Sequence, residues 1–390
     1  MTVQGAYGNF PIDRVVYGKP AAAAVADEAA RLNAGRVFLI VSRTLEQRTS
    51  WVEDMRAALG ARCAGTYSGM PAHTPREAVL DAALAARAAG ADAVVTFGGG
   101  SGTDAGKMVR LALEHAIDDV AGFDRFVARV GPDGKRAIPA FDGPRVPQIA
   151  VPTTLSGGDF NPSAGATDTR TMLKEIFRHP LMAPRVVVLD PASTTETPMW
   201  LWLSTGVRAL DHAVETVCSQ FADHRSYAEA VEAIRLLARA LPATMADPGD
   251  LDARLDAQLA VWLSMEHNRF GVPMGASHGI GHVLGGTCGV PHGHTSCVML
   301  PAVLRWNEGA NADRQAIVAA AIGRPGEPAW RAVHEFVAGL GQPRSLSAVG
   351  VGPDQFQRVA EASMLDHYLH TNPRPVHGVA DVLEILRSAA

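Results

Sequence analysis

A chain of 390 residues with 47% hydrophobic and 19% charged residues is long enough for two domains with well-buried cores. Its net charge of −5 argues against nucleic acid or an anionic membrane surface as the main partner. No run of about 18 apolar residues is present, so no membrane span is expected, and Met1–Pro11 lacks the basic and apolar regions of a signal peptide. Cys63, Cys218, Cys288 and Cys297 show no paired spacing and read as reduced thiols of a cytoplasmic protein.

Taken in chain order, Ala21–Leu32 has helical texture and stops at Asn33-Ala34-Gly35, and Arg36–Val41 reads as a strand. The residues after it, Ser42-Arg43-Thr44, include no acid to bind a ribose 2′-hydroxyl, whereas Arg43 suits a 2′-phosphate, so NADPH is expected to be usable alongside NADH. Arg76–Ala89 reads as a helix and Ala93–Phe97 as a fully buried strand. Gly98-Gly99-Gly100-Ser101-Gly102-Thr103-Asp104-Ala105-Gly106-Lys107 follows that strand and opens a helix. Consecutive glycines permit φ > 0 and close approach to a pyrophosphate, the helix start after Ser101 offers N–H groups, and Lys107 adds a charge. The same segment also fits a plain tight turn with Ser101 or Thr103 as N-cap, and its spacing matches neither the Gly-x-Gly-x-x-Gly fingerprint nor a Walker loop. Pro147–Val151 reads as a strand, followed by a turn in which Thr153, Thr154 and Ser156 offer hydroxyls to a nicotinamide or ribose. Val186–Leu189 is a further strand, and Lys174 before it is an additional site candidate. Strands alternating with helices of this length predict a mostly parallel sheet covered on both faces.

After Asp190-Pro191 the texture turns helical, with a strand expected only at Ser296–Leu300. Ala228–Leu241, with Ser226 as N-cap, and Leu251–Met265 read as amphipathic helices. Arg208 and His212 share a helix with Ser204 or Thr205 at its start. The expected organisation is an α/β nucleotide-binding domain over residues 1–192 and an all-helical catalytic domain over 193–390, with a cleft between them as the default ligand site.

Four of the 14 histidines fall in Ser277-His278-Gly279-Ile280-Gly281-His282 and Pro291-His292-Gly293-His294. His278 and His282 are four apart on one helical face, and His292 can return to it. Imidazoles meeting there would serve a metal ion or proton transfer, while a bland reading leaves each one as a core or surface histidine.

These segments together resemble the iron-containing alcohol dehydrogenase family. Gly98–Lys107 looks like that family's GGGSxxDxxK turn, Val151–Ser156 like its PTT segment, and His278, His282 and His292 like its HxxxH…PHG block. The resemblance implies a dehydroquinate synthase-like fold, a nicotinamide cofactor held by Ser42, Gly98, Gly99, Gly100, Ser101, Asp104, Lys107, Thr153, Thr154 and Ser156, and a homodimer. It also implies metal ligands at the positions of Arg208, His212, His278 and His292. A guanidinium has no lone pair to give, so any metal would keep only His212, His278 and His292. Asp211 is expected to pair with Arg208 on the helix surface.

Loss of the acidic ligand points to the maleylacetate reductase-like branch, whose members reduce a conjugated carbon–carbon double bond without metal. The expected activity is NAD(P)H-dependent reduction of an anionic unsaturated oxo acid, maleylacetate to 3-oxoadipate, in the degradation of aromatic compounds. Arg208 would stabilise the enolate, His282 would donate the proton, and His212, His278 and His292 would orient carboxylates. A metal-dependent alcohol dehydrogenase or aldehyde reductase of the same family is the alternative.

Overall fold

Val37–Val41 is apolar at every position, so neither face can meet water, and both are covered. The computed structural model describes residues 11–130 and 136–390; nearly all of the Met1–Pro11 segment behind the signal-peptide reading lies outside them. The strands are β1 (Arg14–Tyr17), β2 (Val37–Val41), β3 (Cys63–Ser68), β4 (Ala93–Gly98), two-residue β5 (Arg129–Val130) and β6 (Arg136–Ala137), β7 (Gln148–Pro152), β8 (Ser163–Asp168), β9 (Leu173–Arg178) and β10 (Val186–Leu189). Six form a sheet in the order β1-β10-β7-β4-β2-β3, every pairing parallel.

The helices of this unit are α1 (Ala21–Arg31), α2 (Arg43–Arg48), α3 (Trp51–Leu59), α4 (Arg76–Ala88) and α5 (Gly100–Glu114). Alternate residues of β2 serve opposite layers. Val37, Leu39 and Val41 pack with Val25 of α1 and Met55 of α3, whereas Phe38 and Ile40 pack with Val79 of α4 and Met108 of α5. The first helix ends as its sequence requires, with Asn33 at φ 56°.

Three features lay outside the sequence reading. Edge strands β1 and β3 are only partly buried and carry no apolar alternation; in β3, Gly65 leaves room for the Phe38 ring, 3.0 Å from where a Cβ would stand. The β8–β9 hairpin is antiparallel and is fastened to α4 by the fully buried Arg76, which pairs with Asp124, Asp168 and Glu175.

The second unit, Pro198–Ala390, begins after Thr197 rather than after residue 192. Its helices are α6 (Met199–Cys218), α7 (His224–Ala246), α8 (Leu251–Met265), α9 (His267–Phe270), α10 (Ala276–Cys288), α11 (His292–Ala321), α12 (Ala329–Gly339), α13 (Pro353–Ser363) and α14 (Val379–Ser388). Ser296–Leu300 is not a strand but part of α11, where its apolar run is buried on all sides; a short apolar run has no period with which to distinguish the two. Ser226 is not the N-cap of α7: Asp223 is, and Ser226 completes the capping box as the N3 residue. Nor do Ser204 and Thr205 start α6. Pro198 caps it, and both hydroxyls bond back to Leu201 O inside the helix. No helix among the described residues is long and apolar enough to cross a membrane.

Helix α5 lies close against β4 and β7 because Gly106 has no side chain: a Cβ there would stand 2.3 Å from Thr96 Cγ2 and 2.8 Å from Gln148 Nε2. Gly106→Ala is therefore expected to cost about 1–3 kcal/mol of stability in urea denaturation. Gly102→Ala, with nothing within 4 Å, should be neutral or stabilising by up to about 1 kcal/mol. Equal effects at the two positions would refute this packing account.

Candidate active site

The C-terminal ends of β2, β4 and β7 are neighbours in the sheet. From β2 the chain runs outward to β3 and returns on the other side as β4, so the order reverses at the β2/β4 boundary, where open parallel sheets bind their ligands. Three turns meet here. Ser42 N donates to Phe97 O, Thr153 N donates to Gly98 O, and Thr154 Oγ1 donates to Ser156 Oγ. Gly98 has φ 156°, and a Cβ on it would be 3.2 Å from that of Ser42. Gly99 and Gly100 are needed for another reason: a Cβ on either would press on Thr154 or Ser156, at 3.2 and 3.0 Å.

Helix α5 starts at Gly100 with Gly99 as N-cap, earlier than Ser101. The N–H groups of Gly102 and Thr103 turn back to Gly99 O, which leaves those of Gly100 and Ser101 for an anion at the positive end of the helix. Lys107 is not part of this cradle. Its ammonium is fully buried and donates to Gly158 O and Ser163 O at 2.7 Å, close to Asp104, and burial lowers its pKa. Asp104 likewise faces inward, where its carboxylate accepts from Gly165 N. The two side chains clamp β8 to α5, an outcome of lying on the helix's inner face. Thr153 is buried. Lys174 is exposed on β9, its side chain lying over Gly165.

In the helical unit, Arg208, Asp211, His212 and Glu215 fall on α6 at i, i+3, i+4 and i+7, one polar stripe in an otherwise apolar buried helix. Asp211 does not pair with Arg208 at the surface. It is fully buried and accepts from Ser277 Oγ (2.9 Å) and Ser296 Oγ (2.7 Å), while Arg208 Nη1 donates to Ser296 Oγ (3.2 Å). Arg208 and Asp211 are thus joined through a hydroxyl. Glu215 accepts from Gly275 N (2.8 Å) and Ser277 N (2.9 Å), which caps α10 from another helix, and lies 2.8 Å from His278 Nδ1.

Burial raises the pKa of both Asp211 and Glu215, and the Asp211 charge pushes Glu215 further. Burial, then the Arg208 charge, drives His212 and His278 well below the ordinary imidazole value. Both shifts disfavour a fully charged Glu215–His278 pair, and the ring nitrogen on the far side from Glu215 is Nε2. That Nε2 is buried without a hydrogen-bond partner among the described residues, as is His212 Nδ1. His212 stacks between His267 and His278, with centroids 5.6 and 4.5 Å apart.

His282 reaches solvent more freely, with its side chain 35% exposed against 2% for His278. Its Nδ1 is 2.9 Å from Asp366 Oδ2, and the Tyr368 ring lies 5.6 Å away. Burial alone would raise the pKa of Asp366, but His282 and the Tyr368 N–H outweigh it and the net shift is downward. Two glycines explain how these groups approach α10. A Cβ on Gly279 would stand 3.1 Å from Leu369 N, and one on Gly281 would stand 3.1 Å from Thr295 Oγ1 and 3.8 Å from Arg208 Nη1. His292 opens α11 and lies against Gly285.

Among the described residues, the trio whose donor atoms come within 4.8 Å of one another is Asp211, Glu215 and His278, not His212, His278 and His292. Both sets include His278, on which the Arg208 charge acts, and a guanidinium disfavours a second cation beside it. Asp211 Oδ2 and both Glu215 oxygens accept from hydroxyl and backbone donors, whereas Asp211 Oδ1, His212 Nδ1 and His278 Nε2 are buried without a hydrogen-bond partner among the described residues. All four cysteines are free, and burial raises Cys218, to about 12, and Cys297, so neither is a nucleophile. Sequence reasoning missed Asp211 as a buried group, and Glu215, Asp366 and Tyr368 altogether. The i, i+3, i+4, i+7 stripe on α6 was the available signal for Glu215; Asp366 and Tyr368, at a 3-10 turn, carried none.

Family models agree with this architecture. Residues 12–191 match the iron-containing alcohol dehydrogenase model and residues 202–390 its C-terminal counterpart, the Fe-containing alcohol dehydrogenase family C-terminal model. The chain is 35% identical to dehydrogenase ALT3 of Alternaria alternata, over 91% of this chain and 98% of that protein. It is 32% identical to a maleylacetate reductase of Rhizobium sp. strain MTP-10005, over 94% and 93%. The crystal structure of maleylacetate reductase from that strain superposes with a TM-score of 0.83, covering 100% of this chain and 98% of that one. The chain belongs to the iron-containing alcohol dehydrogenase family and is an oxidoreductase.

Proposed function

We propose that this oxidoreductase reduces the conjugated double bond of an anionic oxo acid of the maleylacetate type with NADH or NADPH, and does so without a metal. The observation that carries the reading is Arg208, a cation in electrostatic contact with His212 and His278 where the family pattern has an acidic ligand. The relatives named maleylacetate reductase support the choice of substrate class.

The cradle at Gly98–Ser101 with Ser42, Thr154 and Ser156 would hold the cofactor, which when bound supplies a hydride. Addition of hydride to a carbon–carbon double bond conjugated to a ketone leaves an enolate. Arg208 is fixed in place by Ser296, so it meets the developing negative charge without reorganising and stabilises the transition state more than the ground state. His278 Nε2–H is a neutral donor for a substrate oxygen, and His282 delivers the proton to carbon.

A second reading, a metal-dependent alcohol dehydrogenase or aldehyde reductase, is favoured by the Asp211, Glu215 and His278 trio. Turnover of maleylacetate by enzyme treated with EDTA separates the two. Activity should persist without metal and exceed that on simple aldehydes; stoichiometric metal lost together with activity would establish the second reading.

Arg208→Ala should lower kcat/KM for maleylacetate by roughly 10²- to 10³-fold in protein that still folds. Unchanged turnover would remove Arg208 from the mechanism. On the cofactor side, Arg43 is exposed at the start of α2 and lies over Gly69, where a Cβ would meet its Nε at 2.6 Å. Arg43→Ala should raise the Kd for NADPH about tenfold, the worth of one charge-assisted contact, and leave NADH within about twofold. A common loss for both cofactors would show that Arg43 does not read the 2′-phosphate.

A further inference from the structure

The proton donor in this reading, His282, is held by a group from a distant part of the chain. The 2.9 Å contact from His282 Nδ1 to Asp366 Oδ2 joins residues 84 positions apart. Asp366 is itself fixed, because its Oδ1 accepts from Tyr368 N at 2.9 Å. It comes close to α10 because Gly279 has no side chain: a Cβ there would lie 3.1 Å from Leu369 N and 3.6 Å from Asp366 Oδ1. An ionised carboxylate only accepts, so the Nδ1 it faces must carry hydrogen, and Nε2 becomes the nitrogen that gains and loses the working proton. The other histidines differ. His278 faces a carboxyl too, but it is buried at 2% exposure, beside a second carboxyl and Arg208.

We propose that Asp366 is the positioning residue of a His282–Asp366 proton-delivery pair. It holds the imidazole in one tautomer and one orientation and stabilises the imidazolium before transfer. When the enolate carbon takes the proton, the Nε2–H bond breaks and a C–H bond forms. His282 is left neutral with Nδ1–H still on Asp366, and Nε2 then regains a proton from water. The inference rests on the reading above, in which His282 is the donor, and adds that a second residue acts only through it.

The test is a double-mutant cycle on the intact enzyme, with maleylacetate and NADH as substrates and the thermal transition followed in parallel. Asn at 366 keeps an oxygen for the Tyr368 N–H but loses the charge. Asp366→Asn is expected to lower kcat by roughly 10²-fold with KM within about twofold. His282→Ala is expected to lower kcat at least as far, and the double variant no further than His282→Ala alone. If His282→Ala leaves kcat intact, the proton-donor reading fails. If His282→Ala is impaired but Asp366→Asn is not, or if the two losses multiply in the double variant, the positioning role is overturned while the donor survives. Should Asp366→Asn fail to fold, ¹⁵N NMR of the unsubstituted protein decides: hydrogen on Nδ1 of neutral His282 supports the pair, and hydrogen on Nε2 overturns it.

Discussion

A guanidinium beside buried imidazoles and carboxyls must be balanced by its surroundings, and the polar cluster of the helical unit answers that requirement. Arg208 cannot shed its proton, so the groups near it adjust instead. His212 and His278 stay neutral, and Asp211 lies one hydroxyl away through Ser296. A single charge thereby acts on the carboxyls and imidazoles of the cluster and disfavours a second cation beside them. In the proposed mechanism it also divides the labour among the histidines: those nearest Arg208 serve as neutral polar groups, and the more exposed His282, with its own carboxylate, moves the proton.

How much of this was legible depends on how each element is stabilised. Fully buried strands such as Ala93–Gly98 and helices with a clear apolar stripe such as Ala21–Arg31 were readable because a burial pattern or a period specifies them. Edge strands β1 and β3 were not, since a half-exposed strand has little pattern to show. Helix starts also misled. Ser204, Thr205 and Ser226 all have the chemistry of N-caps, but a hydroxyl can equally be satisfied by a carbonyl one turn back or by a capping box, and local sequence does not say which. The expected strand at Ser296–Leu300 failed for the opposite reason: an apolar run within a buried helix looks the same as one within a buried strand.

The same division holds at the site. Residues on regular elements with fixed spacing, Gly98 to Ser101 and Arg208, His212, His278 and His282, could be singled out from the sequence as candidates. Asp104 and Lys107 show the limit: the motif was visible, but a motif does not reveal which side of the helix faces the ligand, and these two turn inward to hold β8. Asp366 lies outside any periodic element, and only the fold brings it to His282.

The glycines of α10 have a consequence for dynamics. Gly279, Gly281, Gly285 and Gly286 lie within Ala276–Cys288, and each makes an isolated helix less favourable than alanine would by roughly 0.8–1 kcal/mol. On its own this segment would not remain helical. It persists because Glu215 caps its first turn and because Leu369, Thr295 and His292 lie against Gly279, Gly281 and Gly285. The helix bearing His278 and His282 is thus borrowed from its neighbours, so local opening of α10 and loss of the histidine arrangement are a single event. Amide hydrogen exchange along Ala276–Cys288 should therefore respond to anything that binds at the cluster, well before the rest of the unit does.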